Sequence, residues 1–219
     1  MRTSLVLVSL FASLSGTFLA ASSGTPSPSS QAHPQAMPRY FEANRGQWPA
    51  SQAFRAYGYG YGVVLGKDGV TLQVTKPTAL KPLAKGIPKG KLDGAEKAAP
   101  PREVSLRFEG ASAAAQFSGQ EELAAKGAWF QGAEANWKSN ISLFERVREA
   151  QVYAGVDATF YGRDGQLEYD LDVAPGAKTD ALVFDLDGAD KASIAKNGDL
   201  TIEVDGQQIV LHKPLAWQP

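Results

Sequence analysis

The sequence contains no cysteine. That absence excludes disulfide staples, thiol nucleophiles, Cys-ligated zinc and lipidation of an N-terminal cysteine. Histidine is nearly as scarce, with two in 219 residues, so little remains for a His-based metal centre. Net charge is small as well: 22 Lys+Arg face 23 Asp+Glu for a formal −1. A dedicated nucleic-acid binder is normally basic overall, so no nucleic-acid partner is expected. No second long apolar run follows the N-terminal one, and no transmembrane segment is expected in the mature chain. Gly-rich phosphate loops, dinucleotide fingerprints, zincin motifs and the Gly-x-Ser-x-Gly elbow are all missing. What remains is 43% hydrophobic and 10% aromatic, enough to build the core of one ordinary domain.

The first residues read as an export signal. Arg2 supplies the positive start, and Leu5, Val6, Leu7, Val8, Leu10, Phe11 and Leu14 supply a short apolar run. Ala20, Ala21, Ser22, Ser23 and Gly24 then offer the small residues of a cleavage site. Ser9, Ser13, Ser15 and Gly16 interrupt the run too early for a membrane anchor. The expected organisation is a signal peptide over 1–23, a Ser/Pro-rich linker over 24–38, and a single β-rich domain over 39–219. His33 falls in the linker, where a ligand role is not expected. The expected destination is the cell surface or the medium, with the periplasm as the alternative.

Charge is segregated along the chain. Residues 76–102 hold seven basic and two acidic side chains among repeated prolines and glycines, a net of +5. Once Arg2 leaves with the signal, the remainder of the exported chain carries −7. The segment reads as a flexible, solvated insertion; a polybasic contact with anionic lipid or glycan is the alternative.

Both flanking blocks read as β. Alternation runs through Val70, Leu72 and Val74; Val104, Leu106 and Phe108; Leu167, Tyr169, Leu171 and Val173; and Leu200, Ile202 and Val204. Gly66-Lys67-Asp68-Gly69, Gly162-Arg163-Asp164-Gly165, Asn197-Gly198 and Asp205-Gly206 supply hairpin turns between such runs. The only helical stretches expected are short, at 120–126 and 133–138. The fold class is therefore mainly β: an antiparallel β-sandwich or a meander of hairpins with one or two short helices.

Several segments together resemble a known family. Tyr40-Phe41-Glu42-Ala43-Asn44-Arg45-Gly46-Gln47 resembles a "YFEPNxGQ" opening. Val104 to Ala111 is similar to an "LxFxGA" strand. Phe130-Gln131-Gly132 with Trp137 and Asn140 resembles "YFxGxxxxxWxxNV". Tyr153 to Asp157, Phe160-Tyr161-Gly162, Leu167 to Asp170, Val173 to Ala177 and Lys213-Pro214 follow in matching order. The family is a bacterial domain of unknown function that precedes SBBP-type β-propeller repeats in secreted or surface proteins. The resemblance implies a non-catalytic module with a structural, adhesive or interaction role. It also implies further strands after Trp217-Gln218-Pro219. Their lack would leave an edge uncovered beside the strand around 208–211, open to a protein partner or to a second copy.

The candidate site residues form two groups. Glu168, Asp170 and Asp172 alternate with apolar residues, so all three lie on one strand face. Their spacing suits an inverting glycosidase pair or calcium ligation; a solvated outer face is the simpler expectation. Tyr57, Tyr59 and Tyr61 alternate with Gly58, Gly60 and Gly62, which on one strand gives an aromatic face. Such a face stacks on sugars, or packs across strands in the core. Trp48, Trp129, Trp137 and Trp217 are expected as core or edge-sealing residues. Asp185 to Asp190 fails the calcium-loop spacing, because Gly188 stands fourth and Lys196 twelfth. His212 lacks a recognisable nucleophile elbow. No catalytic residue, metal or cofactor is assigned. A carbohydrate-binding module, and less favourably a glycosidase-like enzyme, are the alternatives to the structural role.

Overall fold

The described residues form sixteen strands and a single 3₁₀ turn. The computed structural model describes residues 5–7, 13–15, 40–58, 61–67, 69–75, 100–163, 166–178, 180 and 182–217. The linker over 24–38, most of the basic insertion and Tyr59 lie outside them. The strands are β1 (Leu5–Leu7), β2 (Ser13–Ser15), β3 (Phe41–Ala43), β4 (Gln52–Tyr57), β5 (Tyr61–Gly66), β6 (Gly69–Val74), β7 (Arg102–Phe108) and β8 (Gln116–Trp129). After the 3₁₀ turn at Glu134–Asn136 come β9 (Lys138–Tyr153), β10 (Val156–Arg163), β11 (Gln166–Val173), β12 (Phe184–Asp187), β13 (Lys191–Ile194), β14 (Leu200–Val204), β15 (Gln207–Leu211) and β16 (Ala216–Trp217).

A twelve-stranded antiparallel sheet runs β12-β7-β6-β5-β4-β3-β9-β10-β11-β1-β16, with β8 added on β9. It curls into a half-barrel, and β13-β14-β15-β2 form a second, smaller sheet. The mainly-β expectation is correct. The alternating runs supply the core: Leu72, Val74, Val104, Leu106, Leu167, Tyr169, Leu171 and Ile202 are all buried. The small sheet joins the same cluster through Ile202, Val204, Ile209 and Leu211.

The turn signals also hold. Asp205 and Gly206 both have positive φ, 52° and 75°, which suits the tight turn closing the Val204↔Gln207 pair. Of the two helical expectations, only the one at 133–138 survives, as the single 3₁₀ turn. Residues 120–126 instead lie within β8, paired to β9. Their Glu, Leu, Ala and Lys favour helix locally, but the hydrogen-bond ladder with β9 overrides that weak preference.

In the full chain the edge beside residues 208–211 is covered by the N-terminal segment. Ser13–Ser15 pairs with β15, with Leu14 opposite Ile209. Leu5–Leu7 similarly pairs with β11 on one side and β16 on the other. The N-terminal segment supplies strands where the core-forming strands would otherwise end in open ladders.

Close packing at one glycine fixes the β8–β9 hairpin. A Cβ on Gly119 would lie 2.4 Å from the Phe144 ring, and that ring meets Phe54 edge-on at 5.8 Å. Gly119→Ala is expected to lower unfolding stability by about 1–3 kcal/mol, the usual cost of overpacking. Urea denaturation at unchanged m-value reads the effect; an unaltered midpoint would show the ring moves freely.

Candidate functional site

The long strands place a grid of polar side chains on the outer face of β8–β11. Cross-strand register lines up Gln120, Arg146, Tyr161 and Glu168 in one row. Ser118, Arg148, Thr159 and Asp170 form the next row, and Asp157 stands opposite Asp172. The three sequence-predicted carboxylates do share one face, but they are not equally solvated. Glu168 is fully buried, Asp170 is half-buried and only Asp172 is exposed. The expected solvated face is corrected for Glu168, because arginine and tyrosine side chains from neighbouring strands cover it.

Each carboxylate has company. The Tyr161 hydroxyl donates to Asp170, 3.0 Å from both oxygens. The Arg146 and Arg163 guanidinium carbons lie 4.6 and 5.3 Å from the centroid of the Tyr161 ring. Arg163 Nη1 stands 3.4 Å from Glu168 Oε2, while neither Glu168 oxygen accepts a hydrogen bond. Arg148 pairs with Asp157, which also accepts from the Gln151 backbone N–H at 2.7 Å. Burial raises the Asp170 carboxyl above its ordinary range against the opposing Tyr161 hydrogen bond. Burial, reinforced by Asp170, raises the Tyr161 phenol. A groove of about 710 Å³ runs alongside, walled by Gln120, Arg148, Asp157, Thr159 and Asp172. Chemically the face is a charge-compensated network, in which Asp170 and Glu168 face cations and a phenol. Among the described residues no group of three or more His, Asp or Glu is arranged to hold a metal ion.

Tyr57 and Tyr61 do not share one strand face, and Tyr59 lies outside the described residues. Tyr57 ends β4 and Tyr61 begins β5, and the Gly58 N–H donates to the Tyr61 carbonyl at 2.8 Å across the turn between them. The chain reverses between Gly58 and Tyr61, where a continuous strand was expected. Tyr57 stands opposite Gly62 and is exposed, whereas Tyr61 packs against the core with its hydroxyl buried and unpartnered.

The far end of the β8–β9 hairpin holds an arrangement that sequence reasoning missed. Asn44 organises the preceding loop: its Nδ2 donates to the carbonyls of Trp48, Pro49 and Gln52, and its Oδ1 accepts from the Gly46 N–H. Gly46 has φ 95°, a backbone region that suits glycine. Gln47 is locked by donating to Ala43 and Glu42 and accepting from the Arg45 N–H. Arg45 Nη1 reaches the Asn140 carbonyl at 3.0 Å, tying this loop to β9. Trp48 is buried and meets the half-buried Trp129 edge-on at 5.9 Å, while Arg55 stacks over Trp48 at 4.7 Å. The result is a pocket of about 380 Å³ walled by Gly46, Gln47, Trp129, Gln131, Asn136 and Lys138.

Beside the pocket residues in sequence, Phe130 and Trp137 pair edge-on at 5.3 Å and remain 61% and 44% exposed. Trp137 is therefore corrected from a core or edge-sealing residue to a surface one, because its partner is another exposed ring. Trp48 is in the interior as expected; the Trp217 side chain lies outside the described residues. The sequence holds one trace of this arrangement that the expectations left unused: aromatic residues at 129, 130 and 137 bracket a short run of small and polar ones.

His212 Nδ1 lies 3.1 Å from Asp199. Asp199 also accepts from the Lys213 N–H and from Asn197, so it clamps the β13–β14 turn to the segment after β15. The Lys213 hydrogen bond is the main cause holding its carboxyl below the usual range.

Fold and sites together define a mainly-β half-barrel with a polar outer face and an aromatic-walled pocket at one tip. A domain-of-unknown-function family, DUF7948, matches residues 41–219, and the chain belongs to it. No curated protein and no solved structure matches the chain. No helix among the described residues is long and apolar enough to cross a membrane.

One further carboxyl is perturbed. Glu149 is buried on β9 between Phe117 and Ala158, with Oε2 unpartnered. Burial pushes its carboxyl up to about 7. Between pH about 4.5 and about 7 the unfolded chain is ionised while the folded chain keeps the proton. Stability should therefore fall as pH rises through that window, by up to about 3 kcal/mol, and level off above it. Glu149→Gln should remove this slope and be the more stable form at pH 8. Thermal unfolding of both proteins from pH 4 to 8 checks it, and parallel curves would refute the assignment.

Proposed function

We propose that this chain is an exported, non-catalytic β-rich module that acts at the cell surface by pairing with other chains, in a structural or adhesive role. The N-terminal charge, apolar run and small-residue site support export. The resemblance to the domain that precedes SBBP-type β-propeller repeats supports a place at the head of a surface protein.

The observation that carries the interaction role is the position of the N-terminal strands. Leu5–Leu7 closes β11, and Ser13–Ser15 closes β15. Cleavage near residues 21–23 removes both strands together. The mature domain then presents two open ladders, each backed by core residues: Leu171 and Val173 on β11, Ile209 and Leu211 on β15. Open, core-backed edges accept a further strand, whether from a partner protein or from a second copy.

The reading is tested by expressing the full sequence with its leader in a secreting bacterial host and mapping the N-terminus of the exported product. Processing near residues 21–23 is expected, and the processed protein should associate with itself or a partner in multi-angle light scattering. An exported product that keeps residues 1–23, or a processed protein that stays monomeric and captures no partner, would overturn it.

A further inference from the structure

The pocket at the β8–β9 tip combines three properties that rarely coincide by packing alone. Its apolar wall is a tryptophan ring: Trp129 is half-buried and meets Trp48 edge-on, and Arg55 in turn stacks over Trp48. A ring fixed by edge contacts offers its surface at little entropic cost. Its polar wall consists of the amides of Gln47, Gln131 and Asn136 with the Lys138 ammonium. A side-chain amide both donates and accepts, which matches hydroxyl groups better than it matches a simple ion. Finally, the polar groups are available. Among the described residues the side chains of Gln131, Asn136 and Lys138 make no hydrogen bond or ion pair, whereas Gln47 is held rigid by its backbone contacts.

We infer that this pocket is a carbohydrate-binding site, taking a sugar ring against Trp129 with its hydroxyls on Gln131, Asn136, Gln47 and Lys138. An apolar ring face bounded by hydroxyls is the ligand that needs one aromatic wall and several amides. At about 380 Å³ the pocket holds one or two sugar residues, not a folded protein segment. The exposed Phe130–Trp137 pair occupies the intervening positions of the same two segments and does not line the pocket. The site uses neither the β11 carboxylates nor the open sheet edges, so it stands or falls apart from the strand-pairing role.

Isothermal titration of the full chain against cello-, xylo-, manno- and galacturono-oligosaccharides tests the site. At least one series should bind, with a change in tryptophan fluorescence. The double variant Gln131→Ala/Asn136→Ala removes two exposed, unpartnered amides. It should weaken that binding at least about tenfold while leaving the thermal midpoint unchanged. Trp129→Phe should weaken binding and abolish the fluorescence change. No binding to any series, or binding that survives the double variant, overturns the inference. Binding lost in Trp137→Ala but kept in the double variant would move the ligand to the exposed pair and reject the pocket. A protein retained through the tip aromatics, with no saccharide bound, would likewise reject it.

Discussion

The structure hangs on the pairing of β9. This sixteen-residue strand uses one edge along its length for β8, while its other edge is divided. Phe144 and Leu143 take β3, and residues from Arg146 to Tyr153 take β10. Two lines of strands therefore meet on one backbone, the β3–β7 meander and the β10–β11 hairpin, and among the described residues the hydrogen-bonded strand order links them through it. A flat sheet cannot serve both. Extra residues at Asn140 and Gln151, each with φ 57°, interrupt the β9 ladder where register shifts against β8 and β10. Such bulges increase local twist and bend the strand, and here they let the sheet curl far enough to enclose its apolar face. Glu149 is carried inward by the same strand, which is why a carboxyl ends up among core residues with its proton held more tightly.

The outer face follows from the same register. Antiparallel pairing sets Arg146, Tyr161 and Glu168 side by side, so the carboxylates of β11 receive partners from two strands away in the ladder. Cross-strand opposite charges favour the pairing itself, and the tyrosine between them accepts a guanidinium on each side. The single Tyr161 hydroxyl proton is shared between the two Asp170 oxygens and ties β10 to β11 across the ladder. The face reads as a means of stiffening the β9–β11 segment on which the half-barrel depends.

How much of this was legible in the sequence depended on whether local pattern and long-range pairing agreed. At Leu167, Tyr169, Leu171 and Val173, period-2 alternation gave strand, face and burial correctly, because that strand is core-facing on one side. At residues 120–126 it failed. β8 lies at the margin with few buried side chains, so no alternation marks it and helix-forming residues mislead. The Tyr57–Tyr61 run failed for a different reason: alternation with glycine looks identical in one continuous strand and in two strands joined by a reversal. Glu168 was assigned to the right face with the wrong solvation, since alternation specifies direction but not what lies above. The pocket was invisible because its walls come from residues 46–47 and 129–138, brought together by the β3–β9 pairing and the Arg45–Asn140 hydrogen bond.

The attachment of the small sheet shows how charge segregation in the sequence becomes structure. Arg102 ends the basic stretch, yet it turns toward Asp190 at 2.9 Å and Asp205 at 3.7 Å, both in the acidic small-sheet region. Arg107 and Asp185 repeat the pattern at 2.7 Å across the β7–β12 pair. Exposed pairs of this kind contribute little stability individually, so they do not hold the sheets together. Burial of Ile202, Val204, Ile209 and Leu211 in the common cluster does that. What the ion pairs supply is alignment: they favour one placement of β13–β15 against β7 over others that would bury the same apolar area. The small sheet is thus fixed by its core and oriented by its rim. At one end of the small sheet β13 is exposed along its length, whereas β15 carries the buried Ile209 and Leu211 and is covered by β2. That asymmetry makes β15, and not β13, the edge whose exposure would cost the fold most.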